Sequence, residues 1–490
     1  MGGYLPKPNG RYRLLLHLGQ IGGSVSPMDG IQMVCLPLCL WAVCQSLAQT
    51  PPPPSVPMAV TSPAENSQAD AGAAVENQDG SPAKANPFEG DLWTRQYILG
   101  DWGGGRTALA EKGLSLDLLA TQFYQGVASG GRQQAWEYGG KIDYLANLDG
   151  GKFGLWQGFF VNMHAETRFG TSVNNIDGLL TPSNIVMMFP EPDSNITAIT
   201  GLKLVQALSE NFVLFMGKLN TLDEYPLRYG LFNPNPMDRP GLSGFMNTSL
   251  VFNPIVGRTL PYSGAGLGGA VLMNGAPVFS LTVFDPKERA AEGLQDLFAQ
   301  GVTIVPDFVW RTHLFDKPGL INIGGTWSSR KYRSFDPAAY LAIPPALLLD
   351  QANTPLESGS WCIYSNLYQA VWVDSSDASS NWGVFGQFGL SDGNPNPIRY
   401  TCNVGVAAKG LMGRRLDSMG AGFFYVGLSD EYKALASPVL PQQNECGVEL
   451  FYNYAITPSS RLTTDLQIAT PSTQRFDTVI IPGLRLELLF

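Results

Sequence analysis

The pattern that most restricts the fold of this chain is the alternation of apolar and polar side chains along its last segment. The even-numbered positions are apolar, namely Leu484, Leu486, Leu488 and Phe490, and the odd-numbered positions between them include the charged residues Arg485 and Glu487. Because successive side chains of a β-strand point to opposite faces of a sheet, the segment is predicted to be a strand with one apolar and one polar face. A strand that is apolar on one side and ends on an aromatic residue is typical of membrane β-barrels.

The same period of two recurs after Gly113. It is clearest in the segments 159–169, 319–330, 447–456 and 461–468. Turn signals rich in Asn, Asp, Gly and Pro separate such runs, for example at 147–151, 274–275 and 391–395. At ~10 residues for each tilted strand plus a turn or loop, the chain is predicted to form an all-β, transmembrane antiparallel barrel of about 16 strands. A soluble β-protein that leans apolar is the alternative.

Composition favours the membrane barrel. Charged residues make up 15% of the sequence and aromatic residues 11%, which suits a wall with one apolar and one polar face. Outside the N-terminal region, the longest apolar run, 338–349, is broken by Pro344 and Pro345 and is shorter than the ~20 residues that a transmembrane helix needs. The net charge of -10, without a basic run, argues against nucleic acid as a partner.

The N-terminal region is predicted to be an export leader followed by a linker. Residues 33–48 have the apolar core and small-residue cleavage site of a signal peptide, so cleavage is expected after Ala48. The nearest base upstream is Arg13, so either the start lies too early or the leader, 1–48, is unusually long. Residues 49–88 are rich in Pro, Ala and Ser and are predicted to be disordered, because they have too few large apolar side chains to form a core.

The stretch 93–113 precedes the alternating pattern and is predicted to be a turn followed by a short helix. Its sequence DWGGGR at 101–106 supplies a flexible turn, and 107–112 reads as a helix that Gly113 ends. The barrel domain is thus expected over 89–490, with the strands of the barrel over 114–490.

No catalytic or metal-binding arrangement stands out. Only His164 and His313 remain after the predicted leader, so neither an enzyme, a metal site nor a cofactor is predicted. The glycine-rich run 264–269 lacks the helix pattern that a dinucleotide loop requires, so it is predicted to be a strand. A glycosidase-type carboxylate pair is compatible with the composition, but the even spread of acids along the polar faces fits a wetted lumen better.

Three cysteines follow the leader: Cys362, Cys402 and Cys446. In an oxidising compartment, a bridge between Cys402 and Cys446 and three unpaired, buried cysteines are both compatible with this number.

The segment 220–262 is the strongest functional candidate, because it is long and weakly patterned between the strand-like stretches 211–219 and 266–273. It mixes polar, charged and aromatic residues, among them Glu224, Tyr225, Arg228, Tyr229, Phe232, Asn233, Asn235, Asp238, Arg239 and Phe245. A sugar has polar edges and apolar C–H faces, and a loop folded into a pore would narrow it and supply contacts to both. An ordinary extracellular loop is the alternative.

Strand parity adds candidates on the barrel wall. Glu166, Arg168, Arg485 and Glu487 lie on the predicted polar faces and are candidate lumen residues. Simple solvation of the wall is the alternative explanation for them.

The sequence resembles the carbohydrate-selective porin family (OprB-type) over about residues 93–490. The resemblance rests on six segments in the family's order: DWGGGRTALAEKGL at 101–114, RPGLSGFMNTSLVFNP at 239–254, GTWSSRKY at 325–332, WGVFGQFGLSDGNPNPIRY at 382–400, GVELFYNYAITP at 447–458, and the terminus at 483–490. It implies a 16-stranded barrel in the outer membrane of a Gram-negative bacterium. Neutral mono- or oligosaccharides would cross it by facilitated diffusion, through an eyelet where arginine and acidic side chains meet.

The resemblance also implies roles for particular positions. The family motif maps to Asp101, Trp102, Gly103, Gly104 and Arg106, in a segment expected to pack at the periplasmic end. In the constriction segment the resemblance points to Arg239, Phe245 and Asn247 as candidate substrate-binding or pore-lining residues. Arg228 and Asp238 are candidates for the same role from the composition of the segment alone.

The implied partners are sugars as permeants, outer-membrane lipid, and the barrel-assembly machinery, through the strand that ends at Phe490. A monomer and a homotrimer are both compatible with the sequence. The alternative functions are a general or ion-selective porin and an exported soluble β enzyme that acts on polysaccharide.

Overall fold

The computed structural model describes residues 75–76, 82–83, 86–190, 196–223, 244–343 and 353–490. The predicted signal peptide at 1–48 and most of the predicted linker at 49–88 lie outside the described residues. Within the linker, the two-residue strands Val75–Glu76 and Pro82–Ala83 pair in antiparallel fashion.

Sixteen antiparallel strands form a closed barrel, in which β16 pairs with β1. The strands are β1 Leu114–Gly126, β2 Trp136–Asp149, β3 Phe159–Gly170, β4 Ile196–Ser209, β5 Phe212–Asn220, β6 Ser263–Met273, β7 Ala276–Phe284, β8 Thr303–Leu314, β9 Lys317–Arg333, β10 Leu356–Val373, β11 Asn381–Ser391, β12 Ile398–Lys409, β13 Ser418–Leu428, β14 Glu445–Thr457, β15 Ser460–Thr470 and β16 Val479–Leu489. The predicted fold class and strand number are confirmed, and the glycine-rich run 264–269 lies within β6.

The connections differ between the two ends of the barrel. At one end, which also holds the start of β1 and the end of β16, strands are joined by short turns such as 210–211, 274–275 and 458–459. Asn274 and Gly275 both have positive φ, as the tight turn of a two-residue β-hairpin requires. The longest connections lie at the other end, called the long-loop end below. They include loop L2 (171–195) and loop L3 (221–262).

The outer face of the barrel is apolar and carries aromatic side chains near both strand ends. Tyr124 and Trp136 stack at 5.0 Å at the long-loop end, and Trp156 stacks on Phe159 at 4.5 Å at the short-turn end. Between them lie exposed aliphatic side chains such as Leu204. This arrangement is that of the aromatic girdles and apolar band of a membrane barrel. Among the described residues, no helix is long and apolar enough to span a bilayer.

The helices are short. The α-helices are α1 Gly105–Glu111, α2 Gly150–Phe153, α3 Thr248–Val251, α4 Pro337–Leu341 and α5 Asp430–Ala436, and the 3-10 turns are Trp102–Gly104, Val173–Asn175, Pro254–Arg258 and Leu411–Gly413. The predicted helix at 107–112 corresponds to α1. Gly113 follows it with φ +82° and donates its N–H to the Ala110 carbonyl, as expected of a helix-ending glycine.

The family-motif residues fasten the segment before β1 to the short-turn end of the barrel. The Arg106 guanidinium is buried, and it donates to the carbonyl oxygens of Leu116 at 2.8 Å and Phe490 at 2.9 Å. It also lies over the rings of Tyr97, at 4.1 Å, and Trp102, at 4.6 Å. Arg106 therefore joins the motif to both the first and the last strand.

Asp101 holds the start of this segment in shape. Its carboxylate accepts from the Thr107 main-chain N–H at 2.7 Å and from the Thr107 hydroxyl at 2.8 Å. Gly103 and Gly104 have φ of +68° and +93°, conformations that favour glycine, which explains why this turn is glycine-rich.

The three described cysteines are not bridged. Cys402 on β12 and Cys446 on β14 are both paired in register with Tyr425 of β13, which lies between them. Their backbones are therefore two strand spacings apart, about 9.6 Å. A disulfide needs Cα atoms within roughly 7 Å, so of the two arrangements that the sequence left open, the Cys402–Cys446 bridge is excluded. Only Cys362 of the three is buried; Cys402 is exposed on the outer face.

Candidate functional site inside the barrel

The described parts of L2, 171–190, and of L3, 221–223 and 244–262, fold back into the barrel. In L3, the side chains of Phe245, Met246, Leu250, Val251 and Ile255 are fully buried. They belong to one apolar cluster with inward-facing residues of the wall, among them Phe385, Phe424 and Phe451. Contact with these wall residues removes the apolar side chains of L3 from water, and this burial stabilises the loop inside the barrel. The predicted loop folded into the pore is thus present for its described part, 244–262.

Glycines on the barrel wall make room for the loop. Phe245 packs against Phe451 at 4.8 Å and against Phe385 at 5.5 Å between ring centroids. A Cβ at Gly420 on β13 would lie 2.9 Å from the Phe245 ring, and one at Gly422 would lie 2.8 Å from Leu250. Larger residues at these two positions would therefore displace L3 from the wall.

The L3 residues from Gly244 to Asn247 are fastened by charged side chains of β14 and β16. The Glu449 carboxylate accepts the main-chain N–H groups of Met246 and Asn247, the latter at 2.9 Å. Arg485 donates to the Gly244 carbonyl at 2.9 Å and to the Thr463 hydroxyl. A buried carboxylate and a buried guanidinium thus satisfy main-chain groups that would otherwise be unpaired.

Asn247 has two further roles in L3. Its side-chain oxygen accepts from the Ser249 N–H at 3.0 Å and so caps α3, while its amide donates to Gln467 on β15 at 3.1 Å. Asn253 caps the 3-10 turn that follows in the same manner, and it also accepts from Thr401 on β12 at 2.7 Å.

L2 is fastened in a similar way. The Glu445 carboxylate on β14 accepts the main-chain N–H groups of Leu180, at 2.7 Å, and Thr181, at 2.9 Å. On the opposite side, Arg168 on β3 donates to the carbonyls of Met187 and Met188, both at 2.8 Å.

L2 and L3 also bond to each other directly. The Ile185 N–H donates to the Met246 carbonyl, and the Thr248 N–H donates to the Pro182 carbonyl, each at 3.0 Å. The two loops therefore form one unit inside the barrel.

Both ends of L3 meet at a cluster of charged side chains on β2 and β3, here called the neck cluster. It consists of Lys141, Asp143, His164, Glu166, Asp223 and Tyr262. Asp223, near the start of L3, accepts from His164 Nδ1 at 2.9 Å. Tyr262, at the end of L3, donates its hydroxyl to Glu166 at 2.7 Å.

Each positive side chain of the neck cluster lies between two carboxylates. Lys141 Nζ lies 2.9 Å from Asp143 and 2.6 Å from Glu166, and His164 Nε2 lies 2.9 Å from Asp143. Both imidazole nitrogens face carboxylates, which only accept hydrogen bonds, so His164 donates from both as a cation. Asp143, His164 and Glu166 are close enough to suggest metal ligands. The Lys141 ammonium already neutralises two of the three, so this arrangement is that of an ion-pair network.

The sequence-predicted site residues fall into two groups. Glu166, Arg168, Phe245, Asn247 and Arg485 are no more than 4% exposed and hold the inner loops in place. Glu487 is half-buried on β16. Arg228, Asp238 and Arg239 lie outside the described residues, together with the other candidates between 224 and 235.

Sequence analysis missed several residues that organise the site. They are Lys141, Asp143, Asp223, Tyr262, Glu445 and Glu449, and His164 had been noted only as one of two histidines. A signal for part of this set exists in the sequence, since Lys141 and Asp143 lie two residues apart, as do His164 and Glu166, and therefore face the same side of a strand.

Comparisons with known proteins agree with this architecture. The model of a family described as "Carbohydrate-selective porin, OprB family" matches residues 133–490. The high-pH structure of Pseudomonas putida OprB is similar, with 18% identity, a TM-score of 0.70, and coverage of 82% of this chain and 100% of that one. The low-pH structure of the same protein has 16% identity, a TM-score of 0.50, and coverage of 81% and 99%. No curated protein matches the sequence significantly.

Proposed function

Since the chain belongs to the OprB family of carbohydrate-selective porins, its barrel forms a carbohydrate channel, and we propose that neutral mono- or oligosaccharides cross it by facilitated diffusion. The family and the fold imply a channel in the outer membrane rather than an enzyme. Barrels of the outer membrane have long loops outside the cell and short turns in the periplasm, so we expect the long-loop end of this barrel to face the outside of the cell and the short-turn end to face the periplasm.

The observation that carries the proposal is the attachment of L2 and L3 inside the barrel. Two carboxylates, Glu445 and Glu449, and two arginines, Arg168 and Arg485, bind main-chain groups of these loops. A loop held by several buried hydrogen bonds keeps a fixed position, and a fixed position gives the channel a defined width. Size and hydrogen bonding to hydroxyl groups, weak enough to allow release, then select the sugar.

Within this proposal the buried wall residues are positioning residues. Glu166, Arg168, Phe245, Asn247 and Arg485 shape the channel through the loops that they hold. The predicted contacts of Arg228, Asp238 and Arg239 with the permeant remain predictions, because these residues lie outside the described part of the chain.

The proposed partners follow from the same reasoning. The apolar outer face contacts outer-membrane lipid, and the last strand, which ends at Phe490, is the expected signal for the barrel-assembly machinery. Both a monomer and a homotrimer are compatible with the barrel. Export through an N-terminal signal peptide completes the proposed route to the outer membrane.

Planar-bilayer recording with the full-length protein tests the proposal. Glucose or a maltooligosaccharide, added to one side, is expected to reduce the single-channel current in a concentration-dependent manner. A general or ion-selective porin is the alternative, and a current that no sugar reduces would favour it.

A further inference from the structure

Two arginines meet aromatic side chains near the long-loop end of β9. The guanidinium carbon of Arg258 lies 4.9 Å from the ring centroid of Tyr332 and 5.4 Å from that of Phe335. The guanidinium carbon of Arg330 lies 5.6 Å from the same Tyr332 ring. Arg258 and Arg330 are called the arginine pair below.

The arginine pair has few acceptors for its hydrogen-bond donors. Arg258 donates to the Arg333 carbonyl at 3.2 Å, and Arg330 donates to the Pro286 carbonyl at 3.1 Å. The Nε of Arg258 is buried without an acceptor. Among the described residues, no carboxylate lies within 4.0 Å of either guanidinium. Each guanidinium carries five N–H donors, and most of these donors have no acceptor within the described part of the chain.

The acidic side chains nearby are already engaged elsewhere. Asp392 accepts from the main-chain N–H of Trp361 at 2.9 Å, and Glu357 accepts from the Ser334 hydroxyl at 2.9 Å. Glu288 accepts from the main-chain N–H groups of Tyr262 and Ala290. Among the residues that the structure describes, none of these carboxylates contacts the arginine pair directly.

Burial lowers the pKa of Arg258, and the neighbouring charges of Arg330 and Arg333 lower it further, while Tyr332 and Asp392 raise it. An anion placed between the arginines would relieve both the burial cost and the repulsion.

The pair lies at the long-loop end of the barrel, where L3 meets the wall. Arg258 ends the 3-10 turn Pro254–Arg258, which is part of L3 and is held inside the barrel by the bond from Asn396 to the Ile255 carbonyl, at 2.9 Å. Thr259, the next residue, bonds to Thr326 on β9 at 2.6 Å. Tyr332 lies one residue before the long-loop end of β9. In the proposed orientation, this group lies at the outer end of L3, and both of its arginines are half-buried.

We propose that Arg258 and Arg330, with Tyr332 and Phe335, form a binding subsite for anionic sugars, that is, sugars that carry a carboxylate or a phosphate group. The guanidinium groups bind the anionic substituent, since their planar N–H pairs match a carboxylate or phosphate. The rings of Tyr332, which is only 6% exposed, and of Phe335 hold the guanidinium groups in position. This inference rests on the proposed sugar-channel function and extends its substrate class beyond neutral sugars.

The test compares three permeants of similar ring size in planar bilayers: glucose, glucuronate and glucose 6-phosphate. In the wild-type channel, at least one anionic sugar is expected to reduce the current at a concentration about tenfold lower than glucose does. Comparison of the half-blocking concentrations of glucuronate and glucose 6-phosphate shows whether the channel prefers a carboxylate or a phosphate. Half-blocking concentrations that are equal for all three sugars would overturn the inference. A current that none of the three reduces would instead overturn the sugar-channel function itself.

Variants assign the effect to residues. The double variant Arg258→Gln/Arg330→Gln is expected to raise the half-blocking concentration of the anionic sugar about tenfold and to change that of glucose less than twofold. Arg415→Gln is the matched control: it removes the same charge from an exposed arginine at the short-turn end, and should leave all three values unchanged.

Two single variants keep the inference testable if the double variant fails to assemble. Arg258→Lys and Arg330→Lys keep the charge and lose the planar N–H pairs, so each is expected to weaken block by the anionic sugar alone. Equal loss of glucose and glucuronate block in these variants would show that the arginines only shape the loop, which contradicts the proposal.

Discussion

Glu445 and Glu449 lie four residues apart on the inner face of β14, and each carboxylate accepts main-chain hydrogen bonds from a different inner loop. Glu445 binds Leu180 and Thr181 of L2, and Glu449 binds Met246 and Asn247 of L3. Since residues of equal parity on a strand face the same side, one strand positions both loops. The relative position of L2 and L3 is thus linked to a single rigid element of the wall.

Glu449→Ala is expected to loosen L3. It leaves two buried N–H groups without an acceptor, at a cost of about 1–3 kcal/mol for each group. We expect a higher single-channel conductance, with more current noise and weaker block by maltooligosaccharides, in a barrel that still shows heat-modifiable migration on gels. Glu431→Ala, at an exposed position of α5, is the control and should conduct like the wild type. Unchanged conductance and block in Glu449→Ala would contradict the role given to this carboxylate.

Tyr262→Phe tests the neck cluster. The substitution keeps the ring, which stacks on Phe189 at 4.3 Å, and removes the hydroxyl that donates to Glu166 and accepts from Asn220. Loss of these buried hydrogen bonds is expected to lower the free energy of unfolding by about 1–3 kcal/mol. Denaturant unfolding in detergent measures it.

Tyr138→Phe is the matched control for this experiment. It removes a hydroxyl that donates to Gln122 on the exposed outer face, and it should change stability by less than about 1 kcal/mol. Equal effects of the two substitutions would argue against a special role for the neck cluster.

Arg106→Ala is expected to release the segment before β1 from the barrel. It removes hydrogen bonds to Leu116 and Phe490 and the contacts with Tyr97 and Trp102, and charge-assisted hydrogen bonds of this kind contribute roughly 1.5–3 kcal/mol. We expect limited proteolysis to cut within residues 86–113 at least tenfold faster, while the barrel resists.

Two further variants complete the proteolysis experiment. Arg106→Lys keeps the charge but loses the planar geometry, so it should be cut at an intermediate rate. Lys112→Ala, at an exposed position in the same segment, should be cut like the wild type. A cutting rate in Arg106→Ala that matches the wild type would rule out the fastening role.

Asp177 in L2 predicts a pH dependence of stability. Burial raises the pKa of its carboxyl to about 7, and the nearby Glu445 carboxylate adds to the shift, although Ser183 and Leu179 hydrogen bonds oppose it. The folded state thus keeps this proton up to about pH 7, whereas an unfolded aspartate releases it near pH 4. The stability linked to this proton is fully present below about pH 4 and is lost as the pH rises through about 7.

The measurement is thermal unfolding in detergent across this range. The wild type is expected to unfold at a lower temperature at pH 8 than at pH 5, and Asp177→Asn, which cannot release a proton, should show a smaller difference. An identical pH profile for the two proteins would show that Asp177 is not the titrating group. Asp430→Asn, at an exposed position of α5, is the control with the same chemical change.

Sequence analysis predicted the barrel well because the signal for it is local. The alternation in 159–169, 319–330 and 447–456 appears in β3, β9 and β14, with strand ends shifted by a few residues. A side chain on a barrel strand faces either lipid or the interior, so polarity alone reports its direction. The turn at 274–275 was equally readable, because only particular residues adopt positive φ at both positions.

The candidate site was predictable only in part. Phe245 and Asn247 were identified within L3, and Glu166, Arg168 and Arg485 were placed on the polar face of the wall. Their partners were not predictable, because Arg485 and Gly244, for example, are 241 residues apart in the chain. A polar residue on an inner face has the same position in the alternating sequence pattern whether its side chain contacts water, a permeant or another loop.

The amino-acid sequence by itself therefore determined the antiparallel barrel, its approximate number of strands and the side of the clearest strands that faces lipid, since these depend on the period and polarity of neighbouring residues. Only the tertiary structure decided what the inward-facing charges do. Closure of the barrel brings β3, β14 and β16 around the same interior, and L2 and L3 enter it with unpaired main-chain groups that those charges satisfy. Burial without a hydrogen-bond partner is costly, so the buried charges bind the loops.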